Sequence, residues 1–185
     1  MSKSKLENRK MVILPEHCRI TIGQHYKDFS LALKEIDIYA QAKEKMLVDM
    51  ASVKQLKAEP ALLLFAYITD AQMSTGLNDI VKIVLPKDRE VRRLIKASGL
   101  WATIKMGTDR KLDKNWQINN HFQSGYEPDK HLDLTLGALE KEYGIIPNKL
   151  GIAINEAILN ISQHAYEAGI LTRWWQYIFM KPAFN

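Results

Sequence analysis

Cysteine is almost absent from this sequence of 185 residues, in which Cys18 stands alone. A single cysteine forms no internal disulfide, which excludes a disulfide-stabilised framework and favours a reducing compartment. No apolar run approaches the roughly 20 residues that cross a bilayer. The apolar run after the basic N-terminus, residues 11–14, is also too short for a signal peptide. We therefore expect a cytoplasmic protein without a membrane partner.

Repeats and low-complexity tracts are also lacking, and the composition is that of a folded protein, with 46% hydrophobic and 25% charged residues. The 26 lysines and arginines outnumber the 21 aspartates and glutamates only slightly. The excess is confined to residues 1–110, which hold 19 basic and 13 acidic side chains, including the tail residues Lys3, Lys5, Arg9 and Lys10. No nucleic-acid recognition motif accompanies this charge, so a solvated surface is favoured over a nucleic-acid interface.

Short apolar runs alternate with helical spacing between residues 11 and 105. The predicted strands are residues 11–14, 19–22, 46–48, 80–85 and 100–105. The predicted helices are residues 28–43, 61–73 with Pro60 in the first turn, and 88–98 with Gly99 as the stop. We interpret Cys18 as a small apolar strand residue, because no catalytic pattern surrounds it. This order of elements predicts a small α/β sheet domain.

Two of these helices have a predicted inner face. In the helix at 28–43, the apolar residues at spacings of three and four are Phe29, Leu33, Ile36 and Ala40. In the helix at 88–98, Val91, Leu94 and Ile95 lie on one side. The basic residues of that helix lie on the other side and are Arg89, Arg92, Arg93 and Lys96. We expect the apolar sides to pack inward and the basic side to face solvent.

The predicted organisation is a basic tail (1–10), an α/β domain (11–105), a linker (106–130) and a second segment (131–185). The linker has no hydrophobic periodicity, although its aromatic and aliphatic residues leave open a structured excursion of the first domain: Trp116, Ile118, Phe122 and Tyr126. The second segment is predicted to contain a helix at 132–143 stopped by Gly144, a helix at 148–168 and a strand at 172–180.

The helix at 148–168 carries two separate faces. Glu156, Asn160 and His164 fall within about 80° of one another. An apolar stripe lies about 120° away and consists of Leu150, Ile154, Ile158, Ile161 and Ala165. A carboxylate, an amide oxygen and an imidazole one turn apart suit a phosphoryl-transfer site with Mg²⁺. From the spacing alone, however, an exposed polar face of a helix is the more common interpretation of this pattern.

The string Glu156-Ala157-x-x-Asn160-x-x-x-His164-Ala165-Tyr166 closely resembles the first ATP-site motif of the Bergerat-fold ATPases, which include gyrases, histidine kinases and anti-sigma serine kinases. The His-Ala-Tyr ending is most similar to the anti-sigma branch. This resemblance implies that Glu156 is the general base. It also implies that Asn160 is the Mg²⁺ ligand and that His164 lies near the phosphates of ATP. The resemblance covers residues 131–185 and implies an incomplete α+β ATPase segment.

A second resemblance lies in residues 46–64, MLVDMASVKQLKAEPALLL, which are similar to the strand, loop and helix of STAS domains. In that family the loop before the helix often presents a phosphorylatable serine. Here the stretch reads Lys57-Ala58-Glu59-Pro60 and contains no hydroxyl, so we expect no serine switch there. We interpret Glu59 as a first-turn acid favoured by the helix dipole.

The two resemblances together imply a signalling regulator with an anti-sigma-type protein partner, acting as an ATPase or a serine/threonine kinase. The second motif of the ATPase family, Asp-x-Gly-x-Gly, is absent. We therefore expect the chain to carry only the N-terminal part of that domain and to bind ATP weakly or not at all. The alternative is a non-enzymatic STAS-like interaction module. For the aromatic strand at 172–180, disorder, packing on the first domain and pairing in a homodimer stay open.

Overall fold

The computed structural model describes residues 8–21, 23–107, 121–125, 133, 135–137, 139–141, 144, 151–154, 156 and 174–177. The chain divides into two compact units, Met1–Phe122 and Gln123–Asn185. The predicted domain and linker boundaries stay predictions, because most of residues 106–130 lies outside the described part of the chain.

Helices and strands both occur, so the predicted α/β class is confirmed at this coarse level. The strands are β1 (Lys10–Ile13), β2 (His17–Cys18), β3 (Met46–Asp49), β4 (Gln55–Leu56), β5 (Val81–Val84), β6 (Phe122–Gly125) and β7 (Trp174–Tyr177). The helices are α1 (Gln24–Gln41), α2 (Ala58–Thr75), α3 (Arg89–Ala97) and α4 (Leu100–Ile104).

The first unit is built on a parallel sheet in the order β1-β3-β5. Val12 of β1 lies beside Val48 of β3, which in turn lies beside Ile83 of β5. α1 connects β1 to β3 and α2 lies between β3 and β5, and the two helices pack against each other. Right-handed crossovers that step in one direction place their helices on the same face of a sheet. The short strands β2 and β4 form a separate parallel pair.

The two faces of the parallel sheet differ in burial, most clearly along the edge strand β1. Along β1 and just beyond it, Val12 and Leu14 are fully buried, whereas Met11 is 53% and Ile13 64% exposed. Strand side chains alternate between the two faces, so this pattern assigns the buried set to the helix side. Parallel sheets usually have both faces covered. The second face of this sheet therefore exposes apolar side chains.

The predicted inner face of α1 is confirmed: Phe29, Leu33, Ile36 and Ala40 are all buried. α1 begins at Gln24, earlier than its predicted start at residue 28, because the apolar pattern only becomes visible where the buried face begins. In α2, Pro60 lies in the first turn as predicted, where its missing N–H costs no helical hydrogen bond. Gly76 follows α2 with φ 66°, a left-handed conformation that favours glycine.

The predicted strand at 100–105 is wrong, because these residues form α4. Gly99 adopts φ 81° and allows a second helix to begin directly after α3. The buried residues Leu100, Thr103 and Ile104 have the i, i+3, i+4 spacing of a helix. The buried side-chain amide of Gln72 donates to the carbonyl oxygens of Ile104 and Lys105 at 3.1 and 3.3 Å. It thereby satisfies acceptors that the end of α4 leaves free.

Two further predictions need correction. The second strand is His17–Cys18 rather than residues 19–22, because this pair aligns with Gln55 and Leu56 of β4, whereas Ile20 is exposed. Leu94 is 54% exposed, although the pattern predicts it to be buried. The nine-residue α3 buries Val91 and Ile95, one turn apart, and this narrow contact leaves Leu94 outside.

In the second unit, β6 and β7 form a two-stranded sheet. Trp174–Tyr177 confirms the core of the predicted strand at 172–180. The described residues of the predicted helix at 132–143, namely 133, 135–137 and 139–141, are helical. The N–H of Gly144 donates to the carbonyl oxygen of Glu140 at 2.8 Å, and Gly144 has φ 84°, as expected of a helix stop.

The buried side chain of Arg9 links strands through hydrogen bonds at the N-terminal end of the parallel sheet. Its side chain is 5% exposed and donates to the carbonyl oxygens of Met46 and Asp79 at 3.2 and 2.8 Å. It also donates to the Asp79 carboxylate at 3.0 Å. The hydrogen bond from Lys45 is the largest cause that lowers the pKa of Asp79, and the charge of Arg9 adds to it. Arg9 thus ties the start of β1 to the start of β3 and to the turn before β5.

Replacing Arg9 tests how much these hydrogen bonds contribute to the stability of the fold. Arg9→Met should lower the free energy of unfolding by about 2 kcal/mol, because it leaves partly buried acceptors unsatisfied. Lys10→Met is the matched control, since the ammonium of Lys10 is exposed and its distance to Glu44 is 3.6 Å. We expect the control to change stability by less than about 0.5 kcal/mol. Urea unfolding followed by far-UV circular dichroism measures both, and equal small losses would contradict the assigned role.

Candidate nucleotide-binding site

Glu156, the described residue of the candidate site, lies in a helical stretch of the second unit. Residues 151–154 and 156 are helical, and Glu156 is exposed. Ile154, which belongs to the predicted apolar stripe, is half-buried, whereas Ile152, which lies outside that stripe, is 65% exposed. A carboxylate on the open side of a helix is accessible to a ligand from solvent. Asn160 and His164 lie outside the described residues, so their meeting with Glu156 stays a prediction.

A buried polar cluster that sequence reasoning missed joins three elements of the same unit. The side-chain amide of Gln176 in β7 donates to Oε1 of Gln123 in β6 at 2.8 Å and to Oγ1 of Thr135 at 3.2 Å. The Thr135 hydroxyl also lies 3.5 Å from the same Gln123 oxygen. Gln123 and Thr135 are buried. Buried amides need such partners, so this cluster fixes how β6, β7 and the helical residues near Thr135 pack.

The sequence carried only a weak signal for this cluster. Gln123 follows the apolar Phe122, and Gln176 lies between Trp175 and Tyr177. A single polar residue in an apolar strand usually marks the solvent-facing side. Here the polar side chains meet across the sheet instead. β7 thus pairs with β6 in the sheet. Tyr177, at the end of β7, is half-buried, and this burial raises the pKa of its hydroxyl. Pairing of this strand with a second chain stays a prediction.

The stretch from Lys57 to Pro60, for which the sequence predicts no serine switch, lies at the start of α2. Lys57 occupies the N-cap position without a side-chain capping hydrogen bond, and Glu59 lies exposed in the first turn. This position suits a carboxylate that the helix dipole stabilises. The nearby hydroxyl of Ser52 donates to the carbonyl oxygen of Leu14 at 3.2 Å and so links the ends of β3 and β1.

Cys18 is a buried residue of β2, as predicted. Its thiol lies 3.6 Å from the carbonyl oxygen of Pro15, and burial raises its pKa to about 12. The ring of the preceding His17 lies edge-to-face against His25, with centroids 5.2 Å apart. No described group of three or more histidine, cysteine, aspartate or glutamate residues is arranged to hold a metal ion. The predicted Mg²⁺ ligand, Asn160, lies outside those residues.

Comparison with family models, with curated proteins and with solved structures gave no match. Among the described residues, no helix is long and apolar enough to cross a membrane.

The buried thiol leads to a reactivity prediction. A thiol whose pKa is about 12 holds almost no thiolate at pH 8, and the thiolate is the nucleophile. Native chain should therefore react with iodoacetamide at least about 100 times more slowly than chain unfolded in urea, where the pKa returns to about 8.5. Intact-mass spectrometry over time measures both rates. Comparable rates in the native and unfolded states would contradict the burial of Cys18.

Proposed function

We propose that the chain is a cytoplasmic signalling regulator that combines a STAS-like unit with the N-terminal part of an anti-sigma-type ATPase or serine-kinase unit. The observation that carries the proposal is the motif from Glu156 to Tyr166, whose Glu156 is an exposed helical residue. The parallel arrangement of β1, β3 and β5 with helices on one face supports an α/β interaction unit before it. The lone buried cysteine suits a reducing compartment.

Each motif residue has a distinct chemical role in this proposal. The carboxylate of Glu156 orients and deprotonates an attacking hydroxyl or water. The amide oxygen of Asn160 is a hard neutral ligand, which suits Mg²⁺ bound together with phosphate oxygens and waters. His164 contributes a donor near the phosphates. Bound Mg²⁺ would neutralise the charge that develops on the transferred phosphoryl group.

Adenine recognition is the weak part of this site. In the ATPase family the aspartate of the Asp-x-Gly-x-Gly motif recognises adenine, and the sequence has no such motif. A ligand held mainly through phosphates and Mg²⁺ loses the specificity that a base contact supplies. We therefore propose weak ATP binding by these 185 residues.

Titration calorimetry of the 185-residue chain with Mg-ATP tests the proposal. We expect a dissociation constant of about 1 mM, and we expect binding to require Mg²⁺. Asn160→Ala should abolish the Mg²⁺-dependent heat. Asn155→Ala is the matched control, because on a helical wheel it falls outside the polar face. Micromolar binding of Mg-ATP would contradict the proposed weak affinity. Loss of heat in Asn155→Ala but not in Asn160→Ala would contradict the role of Asn160 as the Mg²⁺ ligand.

A second candidate is a non-enzymatic interaction module, and the open face of the parallel sheet favours it. Met11, Ile13 and Val84 are exposed on strands whose helix-covered side is already filled. Apolar side chains grouped on one exposed face are typical of protein contacts. If Mg-ATP gives no heat at millimolar concentration while the fold is intact, this candidate replaces the first.

A further inference from the structure

The outer face of α3 carries a stripe of positive charge. Val91 and Ile95 are the buried residues of this helix. Arg89 and Arg93, one turn apart, and Lys96 point away from them, and all three are exposed. On a helical wheel these three residues lie within about 60° of one another. We define them as the α3 basic stripe.

Neighbouring carboxylates neutralise only part of the stripe's positive charge. Residues 87–96 hold five lysines and arginines against two carboxylates, those of Asp88 and Glu90. Asp88 caps α3, where its side chain accepts a hydrogen bond from the N–H of Val91 at 2.9 Å. Glu90 accepts from Nε of Arg93 at 2.8 Å. Among the described residues, no carboxylate lies within 4.0 Å of the charged groups of Arg89 or Lys96.

Three lysines elsewhere in the first unit are paired with carboxylates. Lys10, Lys45 and Lys54 each pair with a carboxylate, at 3.6, 2.8 and 2.9 Å respectively. Their partners are Glu44, Asp79 and Glu16. Residues 87–96, by contrast, hold five basic side chains against two carboxylates, which gives a local net charge of +3. Such an excess raises the local concentration of acidic groups.

Two arginines of α3, the stripe residue Arg93 and its neighbour Arg92, are hydrogen-bonded before any partner arrives. Nε of Arg92 donates to the carbonyl oxygen of Pro86 at 2.8 Å. Glu90 holds Arg93 through Nε, which leaves both terminal nitrogens of that guanidinium free for a second carboxylate. Preorganised arginines lose little side-chain entropy on binding, which is the property that favours them at protein interfaces.

Leu94 distinguishes between classes of partner. It is exposed on the same helix, on the side next to Glu90. A nucleic acid, which binds through phosphates and base edges, would leave the aliphatic side chain of Leu94 without a contact. One leucine on a nine-residue helix also gives too little apolar area for stable insertion into a lipid surface. A polypeptide with both acidic and aliphatic side chains can contact the α3 basic stripe and Leu94 at the same time.

We infer that the outer face of α3 is a docking site for an acidic segment of a protein partner, with carboxylates on the α3 basic stripe and an aliphatic side chain on Leu94. This inference names the partner class of the regulator and rests on the proposed signalling function. It does not depend on nucleotide chemistry at Glu156.

Fluorescence anisotropy with a labelled short peptide of alternating glutamate and leucine tests the inference on the full chain. Arg89→Glu with Arg93→Glu should weaken binding at least about tenfold, because it replaces attraction by repulsion. Lys27→Glu with Lys34→Glu is the matched control, since these lysines are exposed on α1 and the charge change is the same. Leu94→Ser should weaken binding by about fivefold. A glutamate–serine peptide should not respond to Leu94→Ser.

Several outcomes would overturn the inference. These are absence of peptide binding, equal weakening in the α1 control, and tighter arginine-dependent binding of duplex DNA or of phosphatidylglycerol vesicles than of the peptide. Far-UV circular dichroism checks that each variant is folded. Arg89→Gln with Arg93→Gln repeats the test with a milder change and should give a smaller loss. A positive result here together with absent Mg-ATP binding would reject the ATPase proposal and keep the docking site.

Discussion

Parallel pairing of β1, β3 and β5 is the constraint on which the rest of the first unit depends. Parallel neighbours need a crossover, and consecutive order puts α1 and α2 on one face. That face receives the buried side chains, and the opposite face keeps Met11 and Ile13 in solvent. Arg9 donates to main-chain carbonyl oxygens at the strand ends, so one basic residue of the N-terminal tail stabilises the sheet.

Charge has three separate uses in this unit. Arg9 is buried, and its charge is met by Asp79 and by carbonyl oxygens. Several lysines form exposed pairs, which contribute little stability. A local excess of positive charge lies at α3, because residues 87–96 hold five basic side chains against two carboxylates. A net charge of +5 says nothing about this distribution, which is why composition alone favoured an ordinary solvated surface.

Sequence periodicity predicted the long elements well, because eighteen-residue α1 and α2 repeat their buried positions several times. It failed at residues 100–105, since a short apolar run fits a strand or a buried helix equally, and the deciding contact comes from Gln72, distant in sequence. The Gln123–Thr135–Gln176 cluster could not be predicted either, because its hydrogen bonds join residues that are distant in sequence. For the candidate site, Glu156 is exposed, and its role as general base stays a prediction. Asn160 and His164 lie outside the described residues.

Glu156 is proposed to take part in a signalling reaction and not to be an ordinary solvent-exposed helix residue. Chromosomal Glu156→Ala, compared with Glu140→Ala at another exposed helical carboxylate of the same unit, tests it most directly. Transcript profiling of the producing cells, with chain abundance checked by immunoblot, is the measurement. The account predicts that Glu156→Ala alters a defined set of transcripts while Glu140→Ala leaves the profile unchanged. An unaltered profile in Glu156→Ala at normal abundance would contradict it.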